Sequence, residues 1–207
     1  MPIIRHSEFI RLRPQPSWPR LRLITILLAL FVCCQFVKAP QGHAQEALPE
    51  YQVKAAYLFN FLKFVEWPSD AFADPLAPIV IGIVGDDPFG SALPEVVVGK
   101  MVQGRDLVIR RYHAGENMRG ASILFISASE KKRLPQVLAG LHGASVLTVA
   151  DMDGFLDSGG MIQFLFEDDR VRFAINVDAA SRARLKVSSK LLSLAHVVGK
   201  NANEVGN

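Results

Sequence analysis

The chain has 207 residues, a formal net charge of +3 and a sequence pI near 9.0. The excess of base lies at the start: six of the Lys and Arg residues but only one acid, Glu8, precede residue 45, which leaves 17 bases against 19 acids in the remainder. Because nucleic-acid binding needs clustered Lys and Arg, and the remainder has no such run, we expect no nucleic-acid partner.

The first 44 residues have the pattern of a secretory leader. An Arg-rich start is followed by an apolar run at 23–37 and by small residues around Gly42-His43-Ala44. This pattern predicts a signal peptide, residues 1–44, cleaved near Ala44, and therefore export of the rest of the chain. An uncleaved N-terminal anchor is the alternative, although the apolar run is shorter than the roughly 18 residues typical of a spanning helix.

Both cysteines, Cys33 and Cys34, fall inside this leader. The exported chain would then contain no thiol, which excludes a disulfide, a cysteine nucleophile and a thiolate zinc site. Its length of about 160 residues is enough for one compact domain with an ordinary apolar core.

The exported part begins with a short tether at 45–50 and a helix predicted over 50–67. A run of β-branched residues at 79–84, IVIGIV, predicts a strand buried on both faces. Asp87-Pro88 then has the composition of a helix start, and we expect a short helix from there to about residue 98.

Helical and strand patterns continue to alternate along the chain. Strands are predicted at 107–112, 122–126 and 145–149. Between the last two, the spacing of Ser127 and Glu130 predicts a capped helix start, and Pro135 should delay or kink that helix.

The alternation stops after residue 149. Two strands, 161–166 and 171–177, are predicted to form an antiparallel hairpin. Residues 178–198 are expected to be helical, in two pieces, and 199–207 to be a flexible tail. These elements together predict a single compact three-layer α/β sandwich, with a mostly parallel central sheet and an antiparallel hairpin at one edge.

The sequence contains none of the common catalytic or metal-binding motifs: no G-x-S-x-G, no H-E-x-x-H and no Walker loop. A segment that opens like a calcium loop, Asp151-Met152-Asp153-Gly154, has its glycine too early and no closing glutamate. His113, His142 and His196 are scattered singly. We therefore expect neither an enzyme nor a bound metal or cofactor.

Polar residues interrupt the apolar face of the first predicted helix. Asn60 is flanked by bulky apolar groups, so it either bonds a backbone edge in the domain or contacts a ligand. Lys54 lies one turn before Leu58, and its ammonium either extends to solvent or pairs with an acid of a ligand or partner. Phe59 shares the narrow polar side of the helix, and Trp67 ends it as a core or a binding residue.

A second such place is the last predicted strand. Arg172 alternates there with apolar residues and could hold an anion or be solvated, and Asn176 closes the strand. Together with Lys54 and Asn60, Arg172 is a candidate pocket group for a small-molecule ligand.

Short motifs along the exported part carry a resemblance to a known family. In chain order they are Val53-Lys54-Ala55-Ala56 with Asn60-Phe61, Glu66-Trp67-Pro68, Gly85-Asp86-Asp87-Pro88-Phe89, Gly159-Gly160-Met161-Ile162 with Arg172-Phe173-Ala174-Ile175-Asn176, and Ser189-Lys190-Leu191-Leu192-Ser193-Leu194-Ala195. With these motifs the chain resembles the YfiR family of exported bacterial proteins, and residues 51–198 would be its YfiR-like domain.

The resemblance implies a periplasmic regulator without catalytic residues. Such a protein binds the periplasmic sensor region of an inner-membrane diguanylate cyclase, holds it inactive, and so lowers cyclic di-GMP and biofilm formation. The resemblance also implies a homodimer. The alternative is a periplasmic small-molecule sensing domain that does not repress a cyclase directly.

The residues expected to contact a partner or ligand come from both ends of the domain: Lys54, Phe59, Asn60, Trp67, Arg172, Asn176, Lys190 and Leu194. One departure from the family concerns redox control. Members of the family carry cysteines in the exported domain and this chain has none there, so thiol-based switching is not expected.

Overall fold

The computed structural model describes residues 44–199. The predicted signal peptide, apart from Ala44, and the tail from residue 200 onward lie outside the described residues. Within residues 44–199, no helix combines the length and the hydropathy needed to cross a membrane.

Five helices and ten strands make up the described part of the chain. The helices are α1 Ala44–Phe64, α2 Ala92–Val97, α3 Leu134–Gly140, α4 Val177–Arg182 and α5 Ser189–Leu192. The strands are β1 Val65–Glu66, β2 Ile79–Val84, β3 Met101–Val102, β4 Arg105–Tyr112, β5 Ile123–Ile126, β6 Leu147–Ala150, β7 Ile162–Glu167, β8 Arg170–Asn176, β9 Lys186–Val187 and β10 His196–Val198.

Eight of the strands form one sheet in the order β10-β8-β7-β6-β5-β2-β4-β3. The pairs β4-β2, β2-β5, β5-β6 and β6-β7 are parallel, whereas β7 and β8 are antiparallel. The predicted α/β fold with a mostly parallel sheet and an antiparallel hairpin is therefore confirmed, but the predicted place of the hairpin at the edge is not. The hairpin is not outermost, however, because the three-residue strand β10 pairs in parallel with β8 beyond it.

Helices cover both faces of the sheet, which gives the three layers. Apolar residues of α1, α2, α4 and α5 pack against one face of the sheet, where every second side chain of each strand points toward them. Helix α3 packs on the other face. Pro135 lies in the first turn of α3, after a 3-10 segment at Ala128–Arg133, so the predicted delay of that helix is confirmed.

Helix α1 lies over the hairpin through a cluster of aromatic rings. Phe164 and Phe173 are cross-strand partners on β7 and β8. The ring of Phe61 lies 5.8 Å and 5.1 Å from those two rings, and the ring of Tyr57 lies 6.1 Å and 5.3 Å from them. Such ring pairs contribute roughly 0.5–1.5 kcal/mol each beyond the burial of their area, so this cluster fixes where α1 sits.

The first helix differs from the prediction at both ends. Residues 45–50, expected as a tether, lie within α1. The helix ends at Phe64, three residues early, because Val65 and Glu66 pair antiparallel with Val187 and Lys186 instead. The N–H of Ser188 also donates to the carbonyl of Phe64, so a backbone oxygen at the end of the helix is paired by the segment that follows β9.

Two other predicted elements need correction. Helix α2 begins at Ala92 rather than at Pro88, because the carboxylate of Asp87 accepts from the N–H of Phe89 and closes a turn there. Residues 178–198 do contain helical pieces, but strands β9 and β10 lie among them and pair with distant segments.

One hairpin was missed in the sequence. Strands β3 and β4 are joined by Gln103 and Gly104, whose φ angles are +53° and +75°. Positive φ at both loop residues is the geometry of a tight two-residue hairpin. Strand β3 is too short to produce a recognisable alternating pattern.

Gly160, in one of the family-like motifs, provides a test of the packing. A Cβ at this position would overlap the ring of the fully buried Phe155, whereas a Cβ at Gly120 would meet nothing within 4 Å. We expect Gly160→Ala to lower the free energy of unfolding by about 1–3 kcal/mol, because the ring must shift in a packed core. Urea denaturation measures this, with Gly120→Ala as the matched control that should be nearly neutral. Equal stability of the two variants would contradict the packing described here.

Candidate functional site

Lys54 is held inside the domain. It is 4% exposed, and its ammonium lies 2.7 Å from Oδ2 of Asp151, which follows β6, and 2.6 Å from Oε1 of Glu50. Its ammonium therefore neither extends to solvent nor offers a free charge to a ligand. The expected contact with an acid of a partner or ligand is therefore not available, because Lys54 forms its ion pairs with acids of its own domain.

Tyr51 completes this cluster. Its hydroxyl donates to the same Oδ2 of Asp151 at 2.7 Å, and the ammonium of Lys54 lies 4.4 Å from its ring centroid. Burial, followed by the hydrogen bond to Asp151, raises the pKa of Tyr51 well above the ordinary value of a phenol. Tyr51 therefore stays a neutral hydrogen-bond donor. The carboxylate of Asp151 is used in contacts with Tyr51 and Lys54 inside the domain. Among the described residues no group of three or more His, Cys, Asp or Glu could hold a metal ion.

Phe59 lies at the surface between two cations. It is half-buried, and the ammonium groups of Lys63 and Lys100 lie 4.2 Å and 4.7 Å from its ring centroid. A cation over an aromatic face is attracted by the ring quadrupole. Phe59 also packs against the apolar core, so only part of its ring is exposed.

Asn60 follows on the same helix and is also half-buried. The predicted structural hydrogen bond to a backbone edge is wrong, since its side-chain amide has no hydrogen-bond partner among the described residues. No buried side-chain nitrogen or oxygen in the described region is left unpaired, so the amide of Asn60 keeps access to solvent. Its donors and acceptor are available to a partner.

Trp67 and Asn176 have structural contacts. The indole Nε1 of Trp67 donates to the carbonyl of Ser122 at 3.1 Å, next to the start of β5. The side-chain oxygen of Asn176 accepts from the N–H of Ala179 at 2.9 Å, which caps helix α4, and its Nδ2 donates to the carbonyl of Leu156 at 3.4 Å.

Arg172 is exposed on β8, beside Glu167 of β7 and His196 of β10. Its Nε lies 3.8 Å from Oε2 of Glu167, and Nε2 of His196 lies 3.3 Å from the same oxygen. Exposed ion pairs of this kind contribute little to stability. Arg172 is solvated, one of the two alternatives left open by the sequence, and its guanidinium is accessible.

Lys190 and Leu194 lie at the other end of the domain sequence. The ammonium of Lys190 lies 5.3 Å from the ring centroid of Phe64, the last residue of α1, and Leu194 is 67% exposed. The structure therefore divides the eight predicted residues into two groups. Lys54, Trp67 and Asn176 have partners inside the domain, and the other five present accessible groups.

A crevice between α3, β6 and α4 was missed. Its volume is about 240 Å³, and its lining includes apolar side chains of α3 and α4 together with Thr148, Ser158, His142 and Arg182. None of the eight predicted residues lines it. Arg182 has no ion pair or hydrogen bond within residues 44–199. In the sequence Arg182 stands in a short group with Arg184 and Lys186, which is typical of a solvated helix surface, so no local signal marks the crevice.

The Lys54 cluster predicts a specific stability pattern. Asp151→Leu should lower the free energy of unfolding by about 3 kcal/mol, because it leaves a buried ammonium with only Glu50 as a partner. Adding Lys54→Met to this variant should recover most of the loss, since both charges are then replaced by apolar groups. Chemical denaturation of the single and double variants checks this.

The control is Asp70→Asn, which breaks the exposed ion pair between Asp70 and Arg184 and should cost less than about 1 kcal/mol. A double variant that is no more stable than Asp151→Leu alone would show that the buried ion pair is not the source of the effect.

Comparisons with known proteins place the chain in a family. No curated protein matches it. A crystal structure of a conserved domain protein from Vibrio cholerae O1 biovar El Tor strain N16961 is similar over 72% of this chain and 60% of that one, at 10% identity and a TM-score of 0.49. The YfiR/HmsC-like family profile matches residues 51–196. This family consists of periplasmic regulators of cyclic di-GMP signalling that act with a partner protein and are not enzymes. The chain belongs to the YfiR/HmsC-like family.

Proposed function

We propose that this protein binds the periplasmic sensor region of an inner-membrane diguanylate cyclase, holds the cyclase inactive, and so lowers cyclic di-GMP and biofilm formation. The observation that carries this proposal is the family match over residues 51–196, which includes most of α1, α5 and the sheet apart from the last two residues of β10. The proposal requires export, which the signal peptide expected at residues 1–44 would provide, and residues 51–198 would form the regulatory domain.

The outward side of α1 supports a protein partner. The partly exposed ring of Phe59 lies near the ammonium groups of Lys63 and Lys100, and Asn60, the next residue of the helix, has an amide without a partner among the described residues. Aromatic side chains surrounded by polar groups are typical anchors of protein interfaces. The two lysines favour a partner surface that carries acidic residues.

The end of the domain supplies a second candidate contact. Leu194 is exposed just after α5, and Lys190 links that helix to the end of α1. A single exposed leucine is common on protein surfaces, so Leu194 is weaker support than Phe59. The homodimer implied by the family resemblance stays a prediction, and either surface could serve it.

Charge substitutions separate these two surfaces. Phe59→Glu should reduce co-purification with the cyclase sensor region by at least about tenfold, a loss of about 1.4 kcal/mol, because it removes the aromatic anchor. The fold should tolerate the new carboxylate, which would lie between two ammonium groups. Leu194→Glu tests the second surface in the same assay.

Leu76→Glu is the matched control, since Leu76 is 84% exposed and lies in the loop before β2. It should leave the complex unchanged. A complex that forms equally well with Phe59→Glu and with Leu194→Glu would show that neither surface is the interface.

The crevice at α3 and α4 favours a second function, the sensing of a small molecule. Arg182, which is exposed, lines the crevice together with apolar residues such as Leu141 and Met161, and with Thr148 and Ser158, which carry hydroxyl groups. This combination suits a small organic anion with an apolar body, held by charge at one end. Such a ligand could act as the signal that releases a partner.

Thermal shift with nucleotides, amino acids and aromatic carboxylates such as benzoate tests the sensing function. We expect at least one carboxylate or phosphate compound to raise the melting temperature, because a ligand that binds only the folded state stabilises it. Arg182→Gln should abolish that shift, whereas Lys132→Gln, which removes an exposed cation elsewhere, should preserve it. A flat response to all compounds, or a shift unchanged in Arg182→Gln, would contradict this function.

A further inference from the structure

Strand β4 has an open outer edge. Along Leu107–Tyr112 it pairs with β2 on one side, whereas on the other side β3 pairs only with Arg105 and Asp106. Within residues 44–199 nothing pairs with the outer edge of Leu107–Tyr112. A row of unpaired backbone groups is a template for the addition of another strand.

The tight hairpin shows which backbone groups face outward. Val102 and Arg105 flank its two-residue loop, where facing residues exchange both N–H···O bonds, so the N–H and C=O of Arg105 point toward β3. Because the direction alternates along a strand, the same groups of Leu107, Ile109 and Arg111 point outward. They are therefore open to an incoming strand.

An apolar groove runs beside this edge. It has a volume of about 350 Å³ and lies between the end of α2 and β4. Its lining includes the apolar residues Pro94, Val97, Val98, Leu107 and Ile109 together with Lys100 and Asp106. Val98 is 76% exposed. A strand added to β4 would place every second side chain over this groove, so those side chains should be apolar.

The opposite face of the same edge carries positive charge. Arg110 is exposed with its guanidinium 4.7 Å from the ring centroid of Tyr112, and it has no ion pair within the described residues. On the groove face, Lys100 lies beside Asp106, and Arg111 is paired with Asp87 at the far end of β4. The acid of this segment, Asp106, lies where β3 already occupies the edge.

These charges favour an acidic occupant over a second copy of the chain. A second β4 would bring another Arg110 to the same edge, and the exposed acid that comes with it, Asp106, lies at the end of the strand that β3 covers. An acidic segment would instead place carboxylates opposite Arg110, where cross-strand pairs of opposite charge stabilise a sheet.

We propose that an extended segment of the partner protein, acidic on one side and apolar at alternate positions, adds as a strand to the outer edge of β4. This inference rests on the proposed function, because it states how a protein partner is held. The two surfaces are continuous, since Lys100 both lines the groove and lies over the ring of Phe59. The partner would thus contact α1 and β4 together.

Amide hydrogen exchange with a defined peptide tests this inference. The probe is acetyl-Glu-Val-Glu-Val-Glu-Val-Glu-amide, added to the protein purified from the periplasm, and the matched peptide has Lys in place of Glu. We expect the Glu peptide to slow exchange at Leu107, Ile109 and Arg111, the residues whose N–H groups point outward. The Lys peptide should have no such effect.

A charge reversal adds a second readout. Arg110→Glu should weaken binding of the Glu peptide by about tenfold, and Lys132→Glu should leave it unchanged. Three results would overturn the inference: exchange at the three residues unchanged by the Glu peptide, equal effects of both peptides, or protection of these amides before any peptide is added. The last result would show that the edge is already covered.

The co-purification assay with the cyclase sensor region keeps the two proposals distinct. A complex that depends on Phe59 while the peptide fails to bind would retain the proposed function and reject strand addition. Peptide binding at β4 without any complex with a cyclase would retain strand addition and reject the proposed function.

Discussion

The position of helix α1 on the sheet is the constraint on which the rest of the structure depends. The helix is buried along a face that includes Leu58 and Phe61, and that face also carries the charge of Lys54. A buried ammonium is costly unless it is paired, and Asp151 at the end of β6 provides its partner. With the aromatic contacts to the hairpin, this pair sets both the depth and the rotation of α1.

The rotation of α1 decides which of its residues face outward. Phe59 and Asn60 are left half-exposed, while the neighbouring Phe61 and Leu62 are fully buried. Lys100, which precedes β3, lies over Phe59 and connects this side of the helix with the groove at β4. The proposed partner surface is therefore a consequence of the packing of α1 rather than a separate feature.

The fold could be predicted from the sequence wherever a segment carries its own pattern. The run IVIGIV at β2 and the turn between β7 and β8, where Asp168 and Asp169 have positive φ, are such segments. Strand β1 could not be predicted, because two residues after a helix become a strand only when Lys186 and Val187 lie beside them. Local pattern contains no information about a partner so distant in the chain.

The candidate site was harder to predict for the same reason. The sequence marks Lys54 and Asn60 as polar residues on an apolar helix. It does not indicate that Lys54 forms an ion pair with Asp151, or that the amide of Asn60 has no hydrogen-bond partner among the described residues. Conversely, Arg182 and Arg110 have the sequence context of solvated residues. The neighbouring crevice and the open strand edge arise only when segments meet in the fold.

The proposed restraint of a diguanylate cyclase can be measured in cells. The most direct measurement is the cellular concentration of cyclic di-GMP in a strain whose diguanylate cyclase gene shares an operon with this gene, before and after this gene is deleted. We expect the concentration to rise on deletion and to return to its original value when the gene is restored. An unchanged concentration in a strain that expresses the cyclase would contradict it.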